Sequence, residues 1–233
     1  MLDILFPKRC ALCDGVLSGS EVNFGCCSFC NERVERIHSP RCYACGAPLL
    51  SFDKELCDDC VNRPRSYESN RAVFAYGDVV KDSLMRFKYH NRREYASYYG
   101  QVINEELGDY IKSSGVKALI PIPIHRNRRK TRGYNQAELL ANEISRCCGV
   151  EVLDKFLIRS QETTAQKGLS NLERLKNLEN SFNVTQDMIQ LDKVMLVDDI
   201  FTTGSTIEAC TRVLLRAGVS KVYALTVAVG QGY

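Results

Sequence analysis

Val194–Met195–Leu196–Val197–Asp198–Asp199–Ile200–Phe201–Thr202–Thr203–Gly204–Ser205–Thr206 decides the fold. Four apolar residues read as a buried strand, two carboxylates stand at its C-terminal end, and a hydroxyl-rich loop with one glycine opens a helix over Ile207–Ala217. In parallel sheets, ligands bind outside the carboxyl ends of the strands. Amides at a helix N-terminus cradle phosphate, and a glycine there lets the backbone approach closely. Adjacent carboxylates repel such an anion unless they serve sugar hydroxyls or a hydrated Mg²⁺. The local chemistry therefore asks for a sugar phosphate, with hydroxyls toward Asp198 and Asp199 and phosphate toward Thr202, Thr203, Gly204, Ser205 and Thr206. The plainer reading is a decorated helix cap with both carboxylates solvated.

Outward from this segment, strands alternate with helices from Ser66 onward. Strands are expected at Ala72–Tyr76, Ala118–Ile122, near Phe156–Ile158 and Phe182–Val184, at Val194–Val197 and at Lys221–Val229; helices at Val79–Tyr89, Tyr95–Ile111 and Asn135–Cys148 as well as Ile207–Ala217. That order predicts an α/β fold with a mostly parallel sheet and helices on both faces. There is no G-x-x-x-x-G-K-[ST] and no G-x-G-x-x-G after a strand, against an NTPase or a Rossmann dehydrogenase.

A second cluster suits the same ligand. Pro121–Ile122–Pro123–Ile124–His125 follows a buried strand, and Arg126, Arg128, Arg129, Lys130 and Arg132 crowd the next seven residues. Concentrated guanidinium charge suits a pyrophosphate group, which Arg can grip with two nitrogens; a solvated or nucleic-acid-contacting basic loop is the alternative. On this reading Pro123, Ile124, His125, Arg126 and Arg132 form a pyrophosphate loop, and the polar Arg159–Ser170 segment, with Thr164 and Gln166, is a flap that excludes water. Lys88, Arg92 and Arg93 are candidates for nucleic-acid contact, because Tyr76, Phe87, Tyr89, Tyr95, Tyr98 and Tyr99 lie among them with Lys81 and Arg86, and stacking plus phosphate contact suits single strands; Arg128, Arg129 and Lys130 are candidates as part of the basic run. The same aromatics could equally pack a helix onto the sheet.

Cysteine is the compositional anomaly. Of 12 in 233 residues, nine fall between Cys10 and Cys60, and eight of these form Cys-x-x-Cys pairs: Cys10/Cys13, Cys27/Cys30, Cys42/Cys45 and Cys57/Cys60. The first two pairs enclose 13 residues and the last two enclose 11, one motif used twice. Such spacing suits two structural Zn²⁺ ions with four thiolates each, paired either in order or interleaved. Gly15 and Gly46 follow the leading knuckles, where a tight turn favours residues without a Cβ. Cys26 is a substitute ligand or a spare thiol, and Cys147, Cys148 and Cys210 read as packed thiols. Residues 1–65 thus form a small double zinc-ribbon module, in which the Asn62–Arg63–Pro64–Arg65 stretch reads as the linker, and residues 66–233 the α/β domain. So short a module needs metal to supply its folding free energy.

Lys plus Arg (31) against Asp plus Glu (28) gives a net charge of +3, too mild to mark a nucleic-acid binder by charge alone. The longest uncharged stretch, Val222–Tyr233, is too short to span a membrane, and the start, MLDILFPKRC, has no signal-peptide pattern, so a cytoplasmic protein is expected.

The stretch Val194–Thr206 resembles the phosphoribosyl pyrophosphate (PRPP) signature of type I phosphoribosyltransferases. Pro121–His125 with Arg132–Gly133–Tyr134–Asn135–Gln136 resembles a block of the ComF (ComFC) family of competence proteins. Thr164, Gln166, Gly168–Leu169–Ser170, Arg174, Asn177 and Phe182 match a second block, and Leu84–Tyr89 a short basic-aromatic helix. The resemblance implies a type I phosphoribosyltransferase fold behind a double zinc ribbon, with PRPP and Mg²⁺ as ligands. It further implies work in natural transformation on incoming single-stranded DNA, beside a DNA-translocating helicase and a single-strand loading factor. A non-catalytic single-strand-binding module with PRPP as regulator, and an orphan salvage phosphoribosyltransferase, remain the alternatives. The acceptor is not implied.

Overall fold

The computed structural model describes residues 7–160, 171–185 and 191–230. Three short helices, α1 (Glu21–Phe24), α2 (Ser28–Arg33) and α3 (Asp58–Asn62), belong to the Cys-rich part. After them come β1 (Asn70–Ala75), α4 (Asp78–Tyr89), α5 (Tyr95–Ser114), β2 (Ala118–Pro121), α6 (Arg126–Arg132), α7 (Gln136–Cys148) and β3 (Glu151–Val152). The chain continues through β4 (Leu157–Arg159), α8 (Asn171–Glu179), β5 (Phe182–Val184), β6 (Lys193–Phe201), α9 (Ser205–Arg216) and β7 (Lys221–Val229). The main sheet runs β1-β7-β6-β2-β3 with every pairing parallel, and β4 pairs antiparallel with β5. The expected parallel α/β fold is present.

Alternation along β6 sorts the core into two layers. Met195 and Val197 join α5 and α7 on one face; Val194 and Leu196 join α9, β4 and β5 on the other. The Cys-rich part divides the same way. Cys10, Leu12, Leu17, Cys30 and Val34 pack with the first layer, whereas Ile37, Cys42, Cys45, Ala47 and Cys60 pack with the second. Between them the chain crosses the sheet edge along β1: Ile37 N–H donates to Val73 O at 2.8 Å and Ala75 N–H to Glu35 O at 3.0 Å. The two ribbons straddle the sheet and cover the polar backbone edge that β1 would otherwise leave open.

The first knuckle departs from expectation. Gly46 has φ +76° and sits so close to β1 that a Cβ would meet Asn70 O at 2.7 Å. In the equivalent place after Cys13 the left-handed residue is Asp14, at φ +66°, not Gly15. An aspartate tolerates that conformation better than most side chains, and here its carboxylate accepts hydrogen bonds from Arg92 Nη2 at 2.6 Å and Tyr95 Oη at 2.7 Å. The first ribbon is thereby pinned to the start of α5. Phe87, Tyr95, Tyr98 and Tyr99 are buried, so these aromatics are packing residues and not a stacking surface; Tyr89 alone among the α4–α5 rings is exposed.

Burial works against the Asp14 charge, but the bonds from Tyr95 and Arg92 outweigh it and hold the carboxyl below its usual range. Its contribution is complete above the unfolded-state value and is lost as pH falls through the folded one. Asp14→Asn should lower unfolding free energy by about 1–2 kcal/mol at neutral pH. Denaturant titration of zinc-loaded protein should show that difference shrinking in acid; a constant difference would show that the charge is not what Asp14 contributes.

Candidate functional site

The Sγ atoms of Cys10, Cys13, Cys27 and Cys30 lie within 4.8 Å of one another, as do those of Cys42, Cys45, Cys57 and Cys60. A tetrahedral zinc with bonds of about 2.3 Å holds its sulfurs about 3.8 Å apart; Cys13–Cys27 is 3.9 Å and Cys45–Cys57 is 3.7 Å. The donor sets fit two structural zinc ions, paired in order and not interleaved. At matching places in the repeat, the Cys27 N–H donates to Cys10 Sγ at 3.4 Å and the Cys57 N–H to Cys42 Sγ at 3.3 Å. Both bonds stabilise thiolate ligands. Cys26 belongs to neither set: its sulfur is 3.9 Å from Cys10 Sγ, and its own S–H donates to the Cys27 carbonyl at 3.4 Å. Cys210 is packed, as expected, but Cys147 is exposed and Cys148 only half-buried.

The acidic pair stands where the sheet opens. Beside β6, β2 stops pairing at Pro121↔Val197, while β7 continues to Phe201↔Val229. The strand is thus longer than the expected Val194–Val197, and Asp198 and Asp199 lie within it at the point where one neighbour has gone. Alternation turns Asp199 toward α4, where Lys88 Nζ pairs with its Oδ2, and turns Asp198 toward the α9 layer. Burial and the adjacent Asp199 charge push the Asp198 carboxyl well above the ordinary carboxylate range, against the Asp199 N–H that donates to its Oδ1 at 2.8 Å. Burial would discharge Lys88, yet Asp199 and then Asp198 outweigh it and hold the ammonium protonated beyond its usual value.

Across a cleft of about 200 Å³ stand Arg128, Arg132 and Arg159, with Lys88. The basic run is not the loop expected from sequence. His125 Nδ1 accepts the Asn127 N–H at 3.2 Å, and Gly133, at φ +78°, returns its N–H to Arg129 O; these caps make Arg126–Arg132 a helix. Helical spacing then divides the run, because Arg128 and Arg132 share one face and line the cleft. Arg132 reaches Gln136 Oε1 at 3.1 Å and Tyr89 Oη at 2.8 Å, its guanidinium 4.5 Å from the Tyr89 ring centre. Arg129 instead pairs with Glu138, while Arg126 and Lys130 face solvent. Pro123 and Ile124 line the cleft, and His125 acts as the helix cap. At the other end, Thr206 lines the cleft, Gly204 (φ +74°) caps α9, and Thr203 Oγ1 lies 2.9 Å from Ser205 Oγ. Thr202 is exposed beside them. Thr164 and Gln166 lie outside the described residues.

Three nucleic-acid candidates have other partners. Lys88 is in the cleft, Arg92 is bound to Asp14, and the Arg93 guanidinium lies 4.7 Å from the centre of the Tyr134 ring. Sequence reasoning missed the Lys88–Asp199 pair; its only trace was the basic-aromatic run Leu84–Tyr89. In the sequence, Arg159 marks only the start of the expected flap.

Comparison with known proteins gives the family. A family model described as a double zinc ribbon domain matches residues 1–61. Competence protein F of Haemophilus influenzae is 30% identical over 222 residues, covering 93% of this chain and 95% of that protein. The chain belongs to the competence protein F (ComF) family. Competence protein ComFC of Streptococcus pneumoniae is 31% identical over 84% of each chain, and the DNA utilization protein YhgH of Escherichia coli is 28% identical over 93% of this chain and 94% of its own. Adenine phosphoribosyltransferase from Saccharomyces cerevisiae matches 60% of this ComF chain and 72% of its own, with a TM-score of 0.39 and 11% identity, too loose a match to add to the sheet order itself. Among the described residues, no helix is long and apolar enough to cross a membrane.

Proposed function

We propose that this ComF protein binds PRPP in the cleft at the end of β6 and serves competence by handling incoming single-stranded DNA. One observation carries the first half: Thr206 at the opening of α9, the Asp198–Asp199 pair and four cations line one cleft at the carboxyl end of a parallel sheet. The amides of residues 203–206 would take the 5′-phosphate, Asp198 and Asp199 the ribose hydroxyls, and Arg128, Arg132 and Lys88 the pyrophosphate. Two carboxylates beside a pyrophosphate subsite are a donor set that suits Mg²⁺, which would neutralise charge on the pyrophosphate. If pyrophosphate leaves, positive charge grows on the ribose, and the acidic pair is placed to stabilise it. The acceptor has no assigned subsite.

Binding needs Asp198 ionised, and burial with Asp199 opposes that, so affinity for Mg-PRPP should rise with pH through the raised range of Asp198. PRPP at 100 times its dissociation constant should stabilise the native protein by about 2.7 kcal/mol. Asp198→Asn with Asp199→Asn should abolish that thermal shift while metal analysis still finds two zinc ions. A double variant that binds PRPP like the parent would show the acidic pair to be structural.

The second half has its own observation, on the second ribbon and not on α4. Tyr43 (57% exposed) and Phe52 (80% exposed) line a groove of about 430 Å³ with three cations, Arg41, Arg71 and Lys54, against one carboxylate, Glu55. The Arg71 guanidinium stands 5.7 Å from the Tyr43 ring centre, and burial plus the like charge of Arg71 make the Arg41 charge harder to hold. An anion relieves that repulsion, and two open rings offer stacking platforms, the combination that binds single strands. Tyr43→Ala with Phe52→Ala should weaken binding of an oligothymidine at least tenfold at moderate salt, since each stacked base contributes about 1–3 kcal/mol. Arg41→Glu should flatten the salt dependence. Unchanged binding in both variants would place the DNA surface elsewhere.

A further inference from the structure

Arg65 lies in the stretch that joins the second ribbon to the sheet, and it is not free linker. Its side chain is 7% exposed. Nη2 donates to Asp59 Oδ2 at 2.5 Å, and Asp59 sits on α3 between the ligands Cys57 and Cys60. Nη1 donates to the backbone oxygen of Thr203 at 3.1 Å, inside the loop that opens α9. One planar guanidinium thus spans a zinc knuckle and the phosphate loop, a reach that a lysine ammonium lacks. The Cys60 side chain, itself a zinc ligand, also interacts with this guanidinium.

The contact is reinforced on both sides. Ser66 donates from N–H (2.9 Å) and Oγ (2.7 Å) to the two carboxylate oxygens of buried Glu208, one turn into α9. Tyr67 packs edge-on against Phe201, the last residue of β6. A Cβ on Gly204 would meet Phe201 Cζ at 2.5 Å and Arg65 Nη1 at 3.3 Å, so the loop is seated directly on these groups. Turning the Thr203 carbonyl toward Arg65 orients the peptide plane of Thr203–Gly204, and with it the Gly204 N–H on the opposite side.

We propose that Arg65 is a positioning residue that couples the second zinc ribbon to the phosphate loop, so that zinc in that ribbon and a ribose phosphate on the loop stabilise each other. The coupling rests on the sugar-phosphate reading of the cleft. It is selective: the loop end of the cleft depends on Arg65, whereas the pyrophosphate end, built from α4 and α6, does not. By linkage the effect is reciprocal.

Calorimetry on the zinc-loaded full chain, with ribose 5-phosphate and with pyrophosphate as separate probes, tests this. Arg65→Gln should weaken ribose 5-phosphate about tenfold, within the usual range for coupled sites, leave pyrophosphate binding unchanged and retain two zinc ions. Asp59→Asn should give the same pattern more weakly, and Arg65→Lys should not rescue it. In the parent protein, ribose 5-phosphate should slow chelator extraction of one of the two zinc ions, and Arg65→Gln should remove that protection. Equal losses for both probes, or no loss for either, would overturn the coupling while leaving the cleft reading intact. A parent protein that binds neither probe would overturn the sugar-phosphate reading and the coupling with it.

Discussion

Two carboxylates on consecutive residues of one buried strand repel each other, and much of the molecule is arranged around that repulsion. The alternation of β6 aims them at different layers while both still line one cleft, so each needs its own remedy. Asp199 has the Lys88 ammonium from α4, and Asp198 answers burial by holding its proton more firmly. Neither remedy is a rigid structural one. A lysine can move its ammonium to another anion, and a carboxyl with a raised pKa can ionise when a better partner arrives. The early departure of β2 provides the opening through which such a partner enters.

The ribbons extend the same logic to the rest of the fold. Residues 7–65 build no independent core; they take one layer on each face of the sheet and cross its β1 edge between. Zinc therefore does more than close two small loops. It fixes the segment that shields an open strand edge, and through Asp59 and Arg65 it reaches the backbone of the loop at the end of β6. Asp14 performs the corresponding task for the first ribbon, accepting a left-handed backbone in return for Arg92 and Tyr95.

Much of this was legible in the sequence because it rested on local pattern. Val194–Val197 followed by Asp198 and Asp199 announced a strand with its chemistry at the carboxyl end, and four Cys-x-x-Cys pairs announced both metal sites. What stayed hidden depended on partners far along the chain. Five basic residues in 126–132 looked like a loop until the His125 and Gly133 caps made them a helix, and only helical spacing separates Arg128 and Arg132 from Arg129. Lys88 looked like part of a nucleic-acid surface because its partner Asp199 lies 111 positions away. Asn62–Arg65 looked like a linker for the same reason: the contacts of Arg65 are to Asp59, close by, and to Thr203, far along the chain.

The most direct test of the account is a crystal structure of the zinc-loaded protein soaked with Mg²⁺ and PRPP. The account predicts the 5′-phosphate on the backbone amides of residues 203–206, ribose hydroxyls at Asp198 and Asp199, and Lys88 withdrawn from Asp199 onto a pyrophosphate oxygen beside Arg128 and Arg132. A sugar phosphate bound elsewhere, or one in the cleft with the Lys88–Asp199 pair still closed, would contradict it.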